Sequence, residues 1–259
     1  MADLADRWRR ALAGWAIPQV ILEQAEVAPW VHPVEMFTVE GEIADSPSHA
    51  AARDALSPGG SVLDIGCGGG RASFALTPPA GTVVGVDHQQ GMLDAYADGA
   101  VRHGVVHHEF LGDWPDIADA VPECDVVVCH HVVYNVPDIV PFLEALDAHA
   151  RRRVVIEMPT QHPLASFNSL WKRFWDLDRP TTPTADDLLA IVESLGHRPT
   201  MQVWTDPTFG RRSAMTEAER VRFTRLRLCL PAEREAEVAA ALAVAGPEPP
   251  RELATIFWD

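Results

Sequence analysis

The run Val62-Leu63-Asp64-Ile65-Gly66-Cys67-Gly68-Gly69-Gly70 constrains the fold more than any other part of the chain. A short apolar strand signal ends in a turn where glycine fills four of five positions. Such a turn lets backbone approach a ligand without Cβ interference, and it feeds a helix whose first N–H groups are free. From there, strand and helix patterns alternate. Strands are predicted at Val62–Ile65, Thr82–Val86, Val105–Phe110, Asp125–Cys129, Arg153–Met158, Arg198–Thr205 and Arg251–Trp258. Helices are predicted from the glycine turn through about Leu76, and at Gln89–Gly99, Pro137–Ala150 and Thr184–Gly196. Thr184 with Asp187 three residues on reads as an N-terminal cap, and Gly196 as the stop. The run 125–129 is β-branched enough to be a central strand buried on both faces. Short connections between alternating elements dictate an α/β fold. The expected form is a doubly wound, mostly parallel, seven-stranded sheet with helices on both faces.

Three stretches lie outside that repeat. Residues 1–57 read as an N-terminal helical cap preceding a domain at 58–259. Leu4, Trp8, Leu12 and Trp15 recur at helical spacing, further helices are expected at Pro18–Ala28 and Ser46–Leu56, and Pro29–Pro33 reads as a stiff linker. Residues 159–183 and 207–247 read as lid insertions. With the cap they bring Trp15, Trp30, Phe37, Phe167, Trp171, Phe174, Trp175, Phe209 and Phe223, which suit an apolar acceptor or simply glue the insertions to the sheet. Arg211, Arg212, Arg220, Arg222, Arg225 and Arg227 make a basic island that reads either as a salt-bridged helix face or as a contact for a substrate anion. The same insertion leaves a homodimer open.

The 259-residue chain has a formal net charge of −16, which argues against nucleic-acid or anionic-membrane binding. It has no apolar run of transmembrane length and no secretory leader pattern. Its four cysteines follow no disulfide or zinc spacing, and a cytoplasmic location is expected.

Asp87 ends the second strand, 21 residues beyond Gly66, where a carboxylate can take both hydroxyls of an adenosine ribose. A dinucleotide fingerprint places its third glycine where this chain has Arg71. Asp64, two residues before the turn, would repel a pyrophosphate and could hold an ammonium group. Both features favour an adenosine cofactor with an amino-acid end over a dinucleotide. The site is then expected at residues 64–71, 87–92, 112–114 and 129–134.

In these segments the chain resembles the class I S-adenosylmethionine-dependent methyltransferases. Asp64–Gly70 is similar to their first motif and Gly85–Leu93 to their second. Gly112-Asp113-Trp114 is similar to the third, and Cys124 is followed by a fourth-strand motif at Asp125–Asp138. The resemblance spans roughly residues 60–206 and implies a Rossmann-like methyltransferase fold binding S-adenosyl-L-methionine. It implies Gly66, Cys67 and Gly68 against the methionine portion with Asp64 near its ammonium, and Asp87 on the ribose. It places His88 and Met92 beside the adenine, Asp113 on its amino group with Trp114 adjacent, and Cys129 and His130 by the methyl. Met92 and Trp114 also fit as ordinary packing, and Cys129 as a small buried hydrophobe.

Transfer from a sulfonium is chiefly a matter of alignment, and a protonated acceptor also needs a base. His130, His131 and Tyr134 follow the central strand. If that turn is helical, His130 and Tyr134 share a face and line the acceptor pocket. His162, in the loop after the fifth strand, is a further acceptor-side candidate, and His32 a weaker one. The pair His107-His108 lacks partners at ligand spacing, so no metal is expected. The reading is methyl transfer to a small-molecule acceptor. Its alternatives are a non-catalytic protein that binds S-adenosylmethionine or S-adenosylhomocysteine, and a nicotinamide-dependent oxidoreductase.

Overall fold

The computed structural model describes residues 2–29, 41, 43–206, 215–246 and 250–259. Its strands are β1 (Ser61–Ile65), β2 (Thr82–Asp87), β3 (Val106–Leu111), β4 (Cys124–His130), β5 (Ala150–Pro159), β6 (Thr200–Thr205) and β7 (Glu252–Trp258). The helices are α1 (Ala2–Ala13), α2 (Gln19–Leu22), α3 (Pro47–Asp54), α4 (Arg71–Phe74), α5 (Gln90–His103), α6 (Ile139–His149), α7 (Asn168–Trp175), α8 (Ala185–Ser194), α9 (Glu217–Arg227) and α10 (Glu235–Ala245). One seven-stranded sheet runs in the order β3-β2-β1-β4-β5-β7-β6. Strands β1 to β5 pair in parallel, and β7 is antiparallel to both β5 and β6. The order therefore reverses between β1 and β4, and in a doubly wound sheet the ligand binds outside the carboxyl ends of the strands at that reversal.

Period-two alternation assigns the faces. Leu63, Ile65, Val127 and Cys129 join Trp8 of α1, Phe142 of α6 and Leu188 of α8 in one core. Val62, Val126 and Val128 join Ala52 of α3, Phe74 of α4 and Tyr96 of α5 in the other. The described helices α1 and α3 thus lie on opposite faces of the sheet. Trp8 lies in the main core, and its Nε1–H donates to the Val136 carbonyl at 2.8 Å. The two insertions pack on each other. Leu170, Trp171 and Phe174 of α7 meet Val221 of α9, Val238 of α10 and Ile21 of α2 in a third, smaller core.

Some helices differ in length from their sequence signals, for local reasons. The helix expected over Pro18–Ala28 is the single turn α2, in which only Ile21 is buried, so no apolar face sustains it. The helix after the glycine turn stops at Phe74, ahead of Pro78 and Pro79. Helix α5 runs past Gly99 because that glycine is a packing site. A Cβ there would lie 2.4 Å from the Phe74 ring. The left-handed stop falls at Gly104 (φ 65°) instead. Trp30, His32, Phe37, Phe209, Arg211 and Arg212 lie outside the described residues.

Candidate active site

Three glycines of the turn take left-handed φ values, 69° at Gly66, 49° at Gly68 and 84° at Gly70. The N–H groups of Gly66 and Cys67 both donate to the Val86 carbonyl, at 2.8 and 3.0 Å, tying the turn to β2. A Cβ on Gly66 would stand 2.4 Å from Cγ2 of Val132, so the loop after β4 closes directly over the turn. Asp87, only 8% exposed, anchors it from the other side. Its Oδ2 accepts from the Gly68 N–H at 3.1 Å and its Oδ1 from the Gln89 N–H at 3.0 Å. Each carboxylate oxygen can accept more than one hydrogen bond, so capacity is left for two hydroxyls. His88 is exposed beside it, Met92 is buried in the first turn of α5, and Asp113 is exposed after β3. This edge fits an adenosine cofactor: a glycine turn tied to β2, with a fixed carboxylate at the neighbouring strand end.

Other expected contacts are placed elsewhere. Asp64 shares the parity of Val62 and points toward α4. There its Oδ2 accepts from the Ser73 hydroxyl at 2.6 Å and from the Ser73 N–H at 3.3 Å. Burial raises its carboxyl to about 7. Asp64 therefore fastens α4 to β1, and the expectation of a carboxylate beside an ammonium is corrected for this arrangement. The Cys67 sulfur packs against Gly85, and burial pushes its thiol well up. Cys129 is fully buried in the main core, its thiol likewise raised by burial. Trp114 faces inward, its ring edge-on to His149 at 4.8 Å and its Nε1–H 3.4 Å from the Phe142 carbonyl. It is packing.

His130 and Tyr134 do not share a face. His130 is still in β4, and the turn beyond it is a brief 3-10 segment at Val133–Asn135 rather than α-helix. His130 follows the parity of Val126 and Val128 and stacks on His49 of α3, ring centroids 5.7 Å apart. Glu157 of β5 lies beneath it, with Oε1 4.0 Å from His130 Nδ1 and 3.2 Å from His131 Nε2. Burial pushes Glu157 up, but attraction to His130 when that ring is protonated, together with the His131 and Ser48 hydrogen bonds, more than offsets this and holds the carboxyl below its usual range. Burial also pulls His130 down to about 4 and lowers His49, so both are neutral at pH 7. His130 Nε2 and His49 Nδ1 are buried with no hydrogen-bond partner. This cluster was not foreseen. Its one signal is an acid, Glu157, directly after the apolar run Val154–Ile156 of β5.

The cluster predicts acid sensitivity. An unfolded imidazole titrates near 6.5 and folded His130 at about 4. Protons therefore bind the unfolded chain first, and this stability term, intact above pH 6.5, is lost as pH falls toward 4. The thermal midpoint is expected to drop across that window, and His130→Gln to flatten the drop. An identical pH profile in the variant would contradict the assignment.

Tyr134 faces the main core side, where it meets His162 edge-on, ring centroids 5.8 Å apart. Both line a cavity of about 500 Å³ between α1, the loop after β4 and the first insertion. Its walls include Trp15, Phe167 and Trp171. His162 stacks on Trp15 at 4.0 Å, with 16° between the rings. Its Nδ1 accepts the Leu164 N–H at 3.3 Å, and burial lowers the imidazole to about 4. The neutral ring therefore carries its proton on Nε2, as a donor. Burial likewise raises the Tyr134 phenol. The basic island splits up. Arg225 is buried on Glu26 at 2.7 Å, whereas Arg227 lines the cavity. Among the described residues no group of three or more His, Cys, Asp or Glu is arranged to hold a metal, and no helix is long and apolar enough to cross a membrane.

Residues 62–152 match a family profile described as "Methyltransferase domain". An uncharacterized protein of Haemophilus influenzae is 38% identical over 102 residues, which is 39% of this chain and 37% of that protein. A protein of Azorhizobium caulinodans named ubiquinone biosynthesis O-methyltransferase is 33% identical over 113 residues, covering 44% of this chain and 45% of that protein. The chain thus spans less than half the length of these curated relatives. A solved S-adenosylmethionine-dependent methyltransferase from Geobacter sulfurreducens, in complex with S-adenosyl-L-homocysteine, shares the fold at a TM-score of 0.55 and 19% identity, over 95% of this chain and 99% of that one.

Proposed function

We propose that the chain is a class I S-adenosylmethionine-dependent methyltransferase and that it methylates a small, flat acceptor bound in the cavity beside Tyr134 and His162. One juxtaposition carries the proposal. The loop after β4 covers Gly66 with Val132 and, two residues later, presents Tyr134 to the cavity, so the cofactor edge and the acceptor pocket share a wall. Gly66, Cys67 and Gly68 would offer backbone to the cofactor, Asp87 its ribose contact, and His88, Met92 and Asp113 the adenine surroundings. When bound, S-adenosylmethionine supplies a methyl group already activated by its sulfonium. The protein's part is then alignment and exclusion of water. Trp15 and Trp171 confine a planar acceptor, and the Nε2–H of His162 donates to an acceptor oxygen. With its imidazole lowered and its proton on Nε2, His162 is a positioning donor rather than a base, and a hydroxyl acceptor would react as its oxyanion, having given its proton to solvent before transfer. His130, on the far face of β4, supports the strand end from behind.

Methylation at an oxygen also agrees with the name of the Azorhizobium relative, an O-methyltransferase. The acceptor is read as a small molecule rather than nucleic acid, in keeping with a net charge of −16. Four free, buried thiols support a cytoplasmic enzyme. The test is turnover. Incubated with S-adenosylmethionine and a panel of hydroxylated aromatic compounds, the protein should release S-adenosylhomocysteine with at least one of them. Trp171→Ala should lower kcat/KM for that acceptor about tenfold or more, the loss of one aromatic wall, with cofactor affinity unchanged. Equal kcat/KM in wild type and variant would remove the cavity from the reaction.

A further inference from the structure

The cavity is basic in an acidic protein. Three of its sixteen lining residues are arginine and none is Asp or Glu, against a net charge of −16 for the chain. The three arginines are not equivalent. Arg9 is neutralised by Asp138 at 2.8 Å and Asp6 at 2.7 Å. Arg227 sits over the ring of Phe223, 4.9 Å from its centroid. Arg179 differs, because among the described residues no carboxylate pairs with it.

What holds Arg179 is neutral. Its Nη1–H donates to the Ala16 carbonyl at 2.9 Å and its Nη2–H to the Trp15 carbonyl. Its guanidinium lies over two indoles, 5.4 Å from the centroid of Trp15 and 5.1 Å from that of Trp171. Two carbonyls and two rings fix the plane and direction of the group while leaving its charge uncompensated. Its Nε is buried and has no acceptor. A guanidinium offers five N–H donors, so donors remain after the two carbonyls are served. A cation already oriented between aromatic walls, with an Nη hydrogen to spare on each side, is a receptor for a planar anion.

We propose that Arg179 makes this cavity selective for acceptors that are aromatic carboxylates, the ring lying among Trp15, Trp171 and His162 and the carboxylate taken by the guanidinium. This rests on the reading of the cavity as the acceptor pocket. Carboxylate recognition would be separate from methyl transfer, since Arg179 lies in the first insertion and Tyr134 in the turn after β4. Arg179 is thus a specificity residue. Its charge would also make the pocket reject cationic amines of the same shape.

The experiment uses the full chain saturated with S-adenosylhomocysteine and two probes, a hydroxynaphthoate and the uncharged primary amide of the same ring system. Binding is followed by calorimetry and by tryptophan quenching. The carboxylate is expected to bind about tenfold or more tighter than its amide, the size of one charge-assisted hydrogen bond. Arg179→Met should erase that preference, Arg179→Lys should retain part of it, and S-adenosylhomocysteine affinity should be the same in all three proteins. Equal binding of the two probes by the wild-type protein would overturn the proposal without any variant having to fold. So would a preference that survives Arg179→Met. If the wild-type protein fails to bind S-adenosylhomocysteine at all, it is the methyltransferase reading that fails.

Discussion

Replacing Gly66 with alanine is expected to abolish S-adenosylhomocysteine binding and to destabilise the fold severely. Two independent costs meet at this residue. Its φ of 69° lies in the left-handed region, which costs a residue with a Cβ about 1–2 kcal/mol. The new methyl would stand 2.4 Å from Val132 Cγ2, and valine, stiff about χ1, cannot simply rotate away. Overpacking of this kind adds about 1–3 kcal/mol, for a total of roughly 2–5 kcal/mol. Urea unfolding reads the loss directly. The pair Gly66→Ala with Val132→Ala should recover the steric share and leave the backbone share. A Gly66→Ala protein with the wild-type urea midpoint would show that Val132 does not close over the turn.

Asp87→Ala should weaken S-adenosylhomocysteine binding about tenfold or more, since a hydrogen bond to a charged group is worth about 1.5–3 kcal/mol. Part of the loss would be indirect, because Asp87 also holds the N–H groups of Gly68 and Gln89. Asp87→Asn separates the two contributions. The amide keeps one acceptor for the backbone but loses the charge and one of the two acceptor oxygens. It should therefore preserve stability better than alanine and still bind the cofactor product weakly. If Asp87→Ala binds as tightly as wild type, the carboxylate has no ligand role and serves only to pin the turn.

The fold was legible where one residue type serves one purpose. Glycine in the turn, β-branched residues in the central strand and the Thr184–Asp187 capping box each have a local cause, and the box forms as expected. Parity was harder to read. The alternation that buries Val126 and Val128 against α3 and α5 also sends His130 to His49 and Glu157, while Tyr134 emerges on the opposite face. Sequence spacing alone treats positions four apart as neighbours only if the turn is helical, and here it is not. Asp64 was misplaced for the same reason, since its parity with Val62 aims it at Ser73. Arg179 and Trp15 are 164 positions apart, and nothing local announces that a cation in the first insertion will lie on an indole just beyond α1. Such sites are made by tertiary packing, which periodicity does not encode.

The central claim is that the edge formed by Gly66, Gly68 and Asp87 is built for an adenosine cofactor bearing an amino acid rather than for a dinucleotide. Calorimetric titration of the intact protein with S-adenosylhomocysteine, set beside the same titration with NADH, tests it most directly. The account predicts one saturable site for S-adenosylhomocysteine, weakened by Asp87→Ala, and no heat of binding for NADH. Saturable binding of NADH with none of S-adenosylhomocysteine would contradict it.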